Sequence, residues 1–300
     1  MMTPITASAA TTGYFNTYST IASIPPVNGA STTQGFAVGS TYVYSVKNNN
    51  STDATASIYR TRMDNGSTQL MTNGDDGTTV ATYMGHGNDL VLSTINGVTH
   101  MFVVTIKTGS LSFVKLRYDS ATAKYFKVGN YTLQVGGVNK PMAGAKILSQ
   151  DASNINFLFE YERSFYRGSI PLTANSGVIN LTYDFNIDVA NALVNGQKVS
   201  AIMTSGYVHQ GLGYYSGNDS IYVPITHANV SIVLVYRNVS SASGTITSDP
   251  NTSFKIVSSS YPTQFEVEGV GVGLGGKLYF NTNRDNNADG VHYFNGYTAY

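Results

Sequence analysis

FEVEGVGVGLGGKLYFNTNR, residues 265–284, sets two carboxylates two positions apart ahead of a run of glycines and a segment of strand formers. Side chains alternate along an extended chain with period two, so Glu266 and Glu268 are expected on one side of it. The pattern here is a small-residue start, a short strand, a Gly-rich turn and a second strand. It recurs as QGFAVGSTYVYSVK from Gln34, HGNDLVLSTINGVTHMFVVTI from His86, AGAKILSQDASNINFLFEY from Ala143 and HQGLGYYSGNDSIYVPIT from His209. The anchoring glycines Gly35, Gly87, Gly144, Gly211 and Gly269 are, by subtraction, 52, 57, 67 and 58 residues apart.

Propeller blades recur at a period of about 40–50 residues, slightly shorter than these spacings. A β-sandwich with Gly-rich hairpins would not require glycines to return at such intervals. The reading is an all-β chain folded as a five-bladed β-propeller over residues 34–300. Residues 1–33 form a lead-in, and 13–24 within it are expected to lend a ring-closing strand to the unit ending in GVHYFNGY. One segment, 184–196, has apolar residues at moderately helical spacing and reads as a short helix or turn.

Composition bounds the function. Charged residues make up 11% of the chain, 17 basic against 17 acidic, for a formal net charge of zero. A nucleic-acid partner needs a basic face, and a cationic attack on a membrane needs the same, so neither is expected. There is no Cys, hence no disulfide or thiolate chemistry, and no Trp to serve as a sugar platform. No run approaches 18 apolar residues, so no transmembrane segment is expected. The opening MMTPITASAATTGYF lacks the charged and apolar regions of a signal peptide.

The residue before each anchor glycine is Gln34, His86, Ala143, Gln210 or Glu268. In equivalent register these five share one level near a central channel, where Gly lets backbones crowd. His209, Glu266, Asn88 and Asp89 lie close by in sequence. Three readings follow. One is a water-filled channel with a self-satisfied polar ring. A second is a ligand site built from Gln34, His86, Asn88, Asp89, His209, Gln210 and Glu268. The third is a catalytic centre using Asp89, Glu266 and Glu268 by the paired-carboxyl logic of glycosidases. Against the third, Glu266 and Glu268 come from one strand, whereas a substrate is better flanked by groups from different units.

RDNNADG, residues 284–290, matches the first half of a calcium loop through Asp285, Asn287 and Asp289, but the twelfth position is Gly296 where Glu is required. A polar turn is the plainer reading, and no other cofactor is implied. Tyr161, Phe165, Tyr166, Tyr214, Tyr215, Tyr297 and Tyr300 offer rings that could stack on sugars, although strand aromatics are more often buried or half-buried packing.

Three motifs carry a family resemblance: HGNDL at His86, HQGLGYY with SIYVPIT from His209, and the 265–284 stretch. Together they resemble the helveticin-J family of large bacteriocins, over roughly residues 34–293. The resemblance implies a secreted or surface-associated antimicrobial protein that recognises the surface or cell wall of related Gram-positive bacteria. It supplies no catalytic residues. A non-lytic lectin-like or receptor-binding propeller for carbohydrate or wall polymer is the alternative, and a propeller glycosidase a third.

Overall fold

The computed structural model describes residues 17–49 and 52–297. Residues 1–16 of the lead-in and Tyr300 lie outside the described residues. More than half of the described chain is strand, in consecutive antiparallel runs. The first is Thr32–Val38, Tyr42–Asn48, Ala56–Arg62 and Thr68–Leu70. The second is Asp89–Ile95, Val98–Val104, Phe113–Asp119 and Lys124–Val135. The third is Gly144–Gln150, Asn154–Tyr161, Ser164–Pro171 and Gly177–Asp188. The second and third share one sheet, because 131–135 pairs in parallel with 177–181.

In the fourth run, Val208–His209 and Gly213–Tyr215 both pair with Ser220–His227, followed by Val230–Arg237 and Phe254–Val257. The last sheet combines both ends of the chain. Phe265–Val272, Leu278–Arg284 and Gly290–Phe294 are completed by Tyr18–Ser23, antiparallel to Gly290–Phe294.

The first strand of each run lies inward, and these inner strands meet in a closed cycle. Thr32–Val38 lies beside Asp89–Ile95 and Phe265–Val272; Gly144–Gln150 lies beside Asp89–Ile95 and Gly213–Tyr215; and Gly213–Tyr215 returns to Phe265–Val272. Covered on both faces, Thr32–Val38 is buried along nearly its whole length, as two-sided burial requires. The outermost strand Gly177–Asp188 instead alternates between buried and exposed positions over much of its length.

Apolar layers fill the gaps between successive sheets. Val46 and Ile58 of the first run pack with Met101 and Leu116 of the second. Phe102 and Phe113 of the second meet Phe157 and Phe159 of the third edge to face, with centroids 5.3 Å apart. Phe165 and Phe185 join Val223 and Leu234, Tyr222 and Phe254 join Phe265 and Phe280, and Phe36 and Val43 join Tyr279 and Val291. Aromatic pairs of this kind add roughly 0.5–1.5 kcal/mol each beyond the area they bury.

The segment 184–196 is not helical. Phe185, Ile187 and Val189 are buried with period two, which extends the strand and leads into a small hairpin of Leu193–Val194 and Gln197–Lys198. The α-helical turn among the described residues is Val199–Ile202, just beyond it.

Candidate functional site

At the level of the anchor glycines the inner strands touch directly. Gly35 N–H donates to Gly87 O at 2.8 Å, and Gly211 N–H donates to Glu268 O at 2.7 Å. A Cβ on Gly35 would stand 2.5 Å from Gly87 O, and one on Gly211 would stand 2.9 Å from Glu268 O and 3.1 Å from Asn88 O. The expected water-filled channel is therefore closed at this level by backbone contact.

The polar residues beside those glycines are largely used to hold the runs together. Asp89 is fully buried. Its Oδ2 accepts the N–H groups of Ala145 (3.0 Å) and Leu212 (3.3 Å), and its Oδ1 accepts Lys146 Nζ (2.6 Å) and the N–H of Leu90 (2.8 Å). One carboxylate thus ties three runs together. Burial pushes it above the usual carboxylate range, while the ammonium and the N–H donors pull it back. Asn88 Nδ2 donates to Ala143 O at 2.6 Å. Gln210 is buried and donates to Thr226 Oγ1, Gln34 is buried, and His86 Nδ1 pairs with Asp53 Oδ1 at 2.9 Å. Of the expected ligand set, His86, Asn88 and Asp89 brace neighbouring runs, Gln210 bonds within its own run, and the buried Gln34 Oε1 has no partner among the described residues.

Glu266 and Glu268 answer the question their spacing raised. The register of Phe265–Val272 against its partner slips between Val267 and Gly269, a bulge at Glu268. Glu266 Oε2 accepts Gln264 Nε2 (2.8 Å) and Asn283 Nδ2 (2.7 Å). Glu268 is 1% exposed, and burial, then the neighbouring Glu266, drives its carboxyl well upward toward the neutral acid. Asp89 and Glu268 are both buried, so no arrangement of these three presents two free carboxyl groups to a substrate.

The calcium reading of 284–290 is also corrected. Asp289 turns inward onto Lys47 Nζ (2.8 Å) and Thr33 Oγ1 (2.8 Å), where the lysine and aspartate side chains are wholly buried. Asp285 instead accepts from Thr263 and the N–H of Gln264, and Asn287 has a left-handed backbone in the turn between them. Among the described residues no group of three His, Cys, Asp or Glu is arranged to hold a metal ion.

His209 leads elsewhere. Its Nδ1 lies 3.0 Å from Oε1 of Glu160, which is wholly buried on Asn154–Tyr161 and has no partner for Oε2. Burial raises the Glu160 carboxyl and His209 opposes the rise. The imidazole, held by this bond, lines a cavity of about 450 Å³ between the third and fourth runs, with Tyr161, Arg163, Tyr207 and Ile106 around it. The Tyr207 and His209 rings are 5.4 Å apart. The volume falls in the range of small-ligand pockets, about 300–1,000 Å³.

Two residues on its rim are strained. Ile106 has φ +59° and Glu162 φ +53°, conformations that cost about 1–3 kcal/mol each in non-glycine residues and that cluster at functional sites. Ile106 and Val208 also expose apolar surface there, at 40% and 60%. A smaller cavity, about 160 Å³, opens at the far ends of the inner strands among Val38, Leu92, Ile147, Tyr214 and Val272, beside Lys146. Of the other tyrosines read as sugar platforms, Tyr166 and Tyr297 are buried, and Tyr214 hydrogen-bonds Asp219.

Glu160, Arg163 and Tyr207 carry no signal in the sequence. They sit at the end of a hairpin and in a loop, away from the recurring glycines, and the two-residue turn Glu162–Arg163 holds a left-handed residue without the usual Gly or Asn.

No protein-family model matches the sequence, and no curated protein is similar to it. Among solved structures, the GH43_1 enzyme from Xanthomonas citri matches with a TM-score of 0.53 at 8% identity, over 94% of this chain and 91% of that chain. The same enzyme complexed with xylose gives 0.52 at 8% identity, over 94% and 90%. Complexed with xylotriose it gives 0.51 at 7% identity, over 94% and 90%. At such identities the likeness is one of fold: this chain has an all-β, propeller-like architecture.

Proposed function

We propose that the chain is a five-bladed β-propeller that binds carbohydrate without cleaving it, in the cavity between its third and fourth blades. The closed cycle of inner strands and the apolar layer in each gap between sheets support the blade number. The binding reading is carried by one observation: a pocket that sets Tyr161 and Tyr207 around His209, whose ring a buried carboxyl fixes. Tyrosine rings offer apolar faces to the C–H side of a sugar and a hydroxyl to its rim. The partner is a glycan, and a bacterial surface or wall polymer outside the cell is the form implied by the resemblance of the 265–284 and His209 motifs. Killing draws no support from the fold or the comparisons.

Hydrolysis is the second reading, favoured by the fold likeness to an enzyme seen with xylose and xylotriose. It requires two carboxyl groups flanking a bond, and Asp89, Glu160 and Glu268 are buried. Affinity electrophoresis through gels containing soluble glycans tests binding. Wild-type protein is expected to be retarded by at least one of them, and Tyr207→Ala, shown by circular dichroism to be folded, to lose about five- to tenfold in affinity, in line with stacking worth about 1–1.5 kcal/mol. Release of reducing sugar that Glu160→Gln abolishes would replace binding by hydrolysis. Equal retardation of wild type and Tyr207→Ala would remove this cavity from the proposal.

A further inference from the structure

We infer that the cavity between the third and fourth blades takes an anionic sugar, one carrying a carboxylate or phosphate. This rests on the carbohydrate reading and narrows its ligand. The observation is a pair of cations without carboxylate partners among the described residues, Arg163 on the rim and Lys140 over the ring of Tyr161. Arg163 lines the cavity and is exposed, and its guanidinium has no hydrogen-bond acceptor or acidic partner among the described residues. The other arginines are occupied. Arg62, Arg167 and Arg237 each pair with an aspartate, Arg60 donates to Gln69, and Arg117 and Arg284 lie over aromatic rings.

Lys140 is the second cation. Its Nζ stands 3.8 Å from the centroid of the Tyr161 ring, which itself lines the cavity, and it has no carboxylate partner among the described residues. Arg163 lies near enough to Tyr207 to act on that phenol electrostatically, so the two cations are associated with the two tyrosines. The acids facing the same rim are Glu162, exposed on the hairpin turn, and Asp188, whose carboxylate is engaged by Asn191.

The placement matters because the chain as a whole carries no net charge. The free guanidinium is then a local feature and not a share of a basic surface, and Glu162 and Asp188 stand near it. A planar guanidinium presents donors in a fork that matches a carboxylate or a phosphate, and such charge-assisted bonds are roughly twice as strong as neutral ones. The tyrosines would receive the ring, and Arg163 and Lys140 its anionic substituent.

The test is affinity electrophoresis of wild-type protein, Arg163→Ala and Lys140→Gln in gels containing polygalacturonate, a poly(glycerol phosphate) wall polymer or neutral xylan. Circular dichroism confirms that each variant folds, which the exposure of Arg163 favours. Retardation by a charged polymer is expected, reduced about tenfold by Arg163→Ala, more modestly by Lys140→Gln, and weakened by added salt. Retention of the uronate polymer alone assigns the carboxylate, and retention of the phosphate polymer alone assigns the phosphate. Retardation by xylan that equals or exceeds that by both charged polymers, unchanged in Arg163→Ala, would overturn the anionic ligand and leave carbohydrate binding standing. No retardation by any polymer would overturn both.

Discussion

Asp89 and Glu268 are both buried carboxyl residues beside anchor glycines, yet they are buried among different partners. Asp89 has an ammonium 2.6 Å away and three backbone N–H donors, the surroundings that an ionised carboxylate needs. Replacing it with Asn takes from Lys146 the carboxylate it hydrogen-bonds, and removing one member of a buried pair costs about 3–5 kcal/mol. Glu268 has no cation beside it among the described residues and is pushed toward the neutral acid. Gln has the shape of that acid, so Glu268→Gln is expected to cost less than about 1 kcal/mol near pH 5. The pH dependence follows from the sign of the shift. A carboxyl raised in the folded state holds its proton where the unfolded chain has lost it. Its contribution is full below the ordinary value of 4.5 and is lost as pH rises through the raised folded value. Urea midpoints measured from pH 4 to pH 9 should therefore fall for wild type relative to Glu268→Gln as pH rises. A constant difference between the two curves would show that folding leaves the Glu268 carboxyl unshifted.

The inner strands were legible because their requirement is severe. A Cβ would meet neighbouring backbone at Gly35 and Gly211 and the Val46, Leu212 and Phe36 side chains at Gly87, Gly144 and Gly269, so these five glycines recur in the sequence as a visible period. Gly35→Ala tests this at its tightest point, since the added methyl would stand 2.5 Å from a neighbouring carbonyl oxygen and the obstacle is backbone, not a movable side chain. Overpacking of this kind costs about 1–3 kcal/mol or more, read as a drop in the midpoint of thermal unfolding. A wild-type midpoint would mean that the inner strands separate easily. Other elements were less legible. The segment 184–196 has apolar residues that satisfy helical spacing and period two together, and pairing with its neighbours decides for the strand. The pocket was hidden for a different reason. Tyr161, Arg163, Tyr207 and Ile106 come from separate loops and hairpin ends, so their convergence depends on how the third and fourth runs stand side by side. His209 was legible as a residue near an anchor glycine, but its partner Glu160, 49 positions away, was not.

At the scale of the whole molecule, the decisive contact is between the two ends of the chain. Tyr18–Ser23 pairs with Gly290–Phe294, and the Tyr18 ring packs against Phe265, Phe280 and His292 at centroid distances of 5.6, 5.8 and 5.1 Å. Closing this contact joins residues separated by nearly the full sequence, and loop-closure entropy makes so non-local a pairing unfavourable until the intervening sheets have formed. The closing strand should then dock after the rate-limiting step of folding. Tyr18→Ala is expected to lower stability by about 1–3 kcal/mol, and the loss should fall almost wholly on unfolding. Stopped-flow tyrosine fluorescence would show the unfolding rate rising by about tenfold for each 1.4 kcal/mol lost, with the folding rate nearly unchanged. A folding rate that fell in proportion would place the pairing of the two ends in the transition state. In that case the first and last sheets would meet early, and the remaining runs would be built between ends already joined.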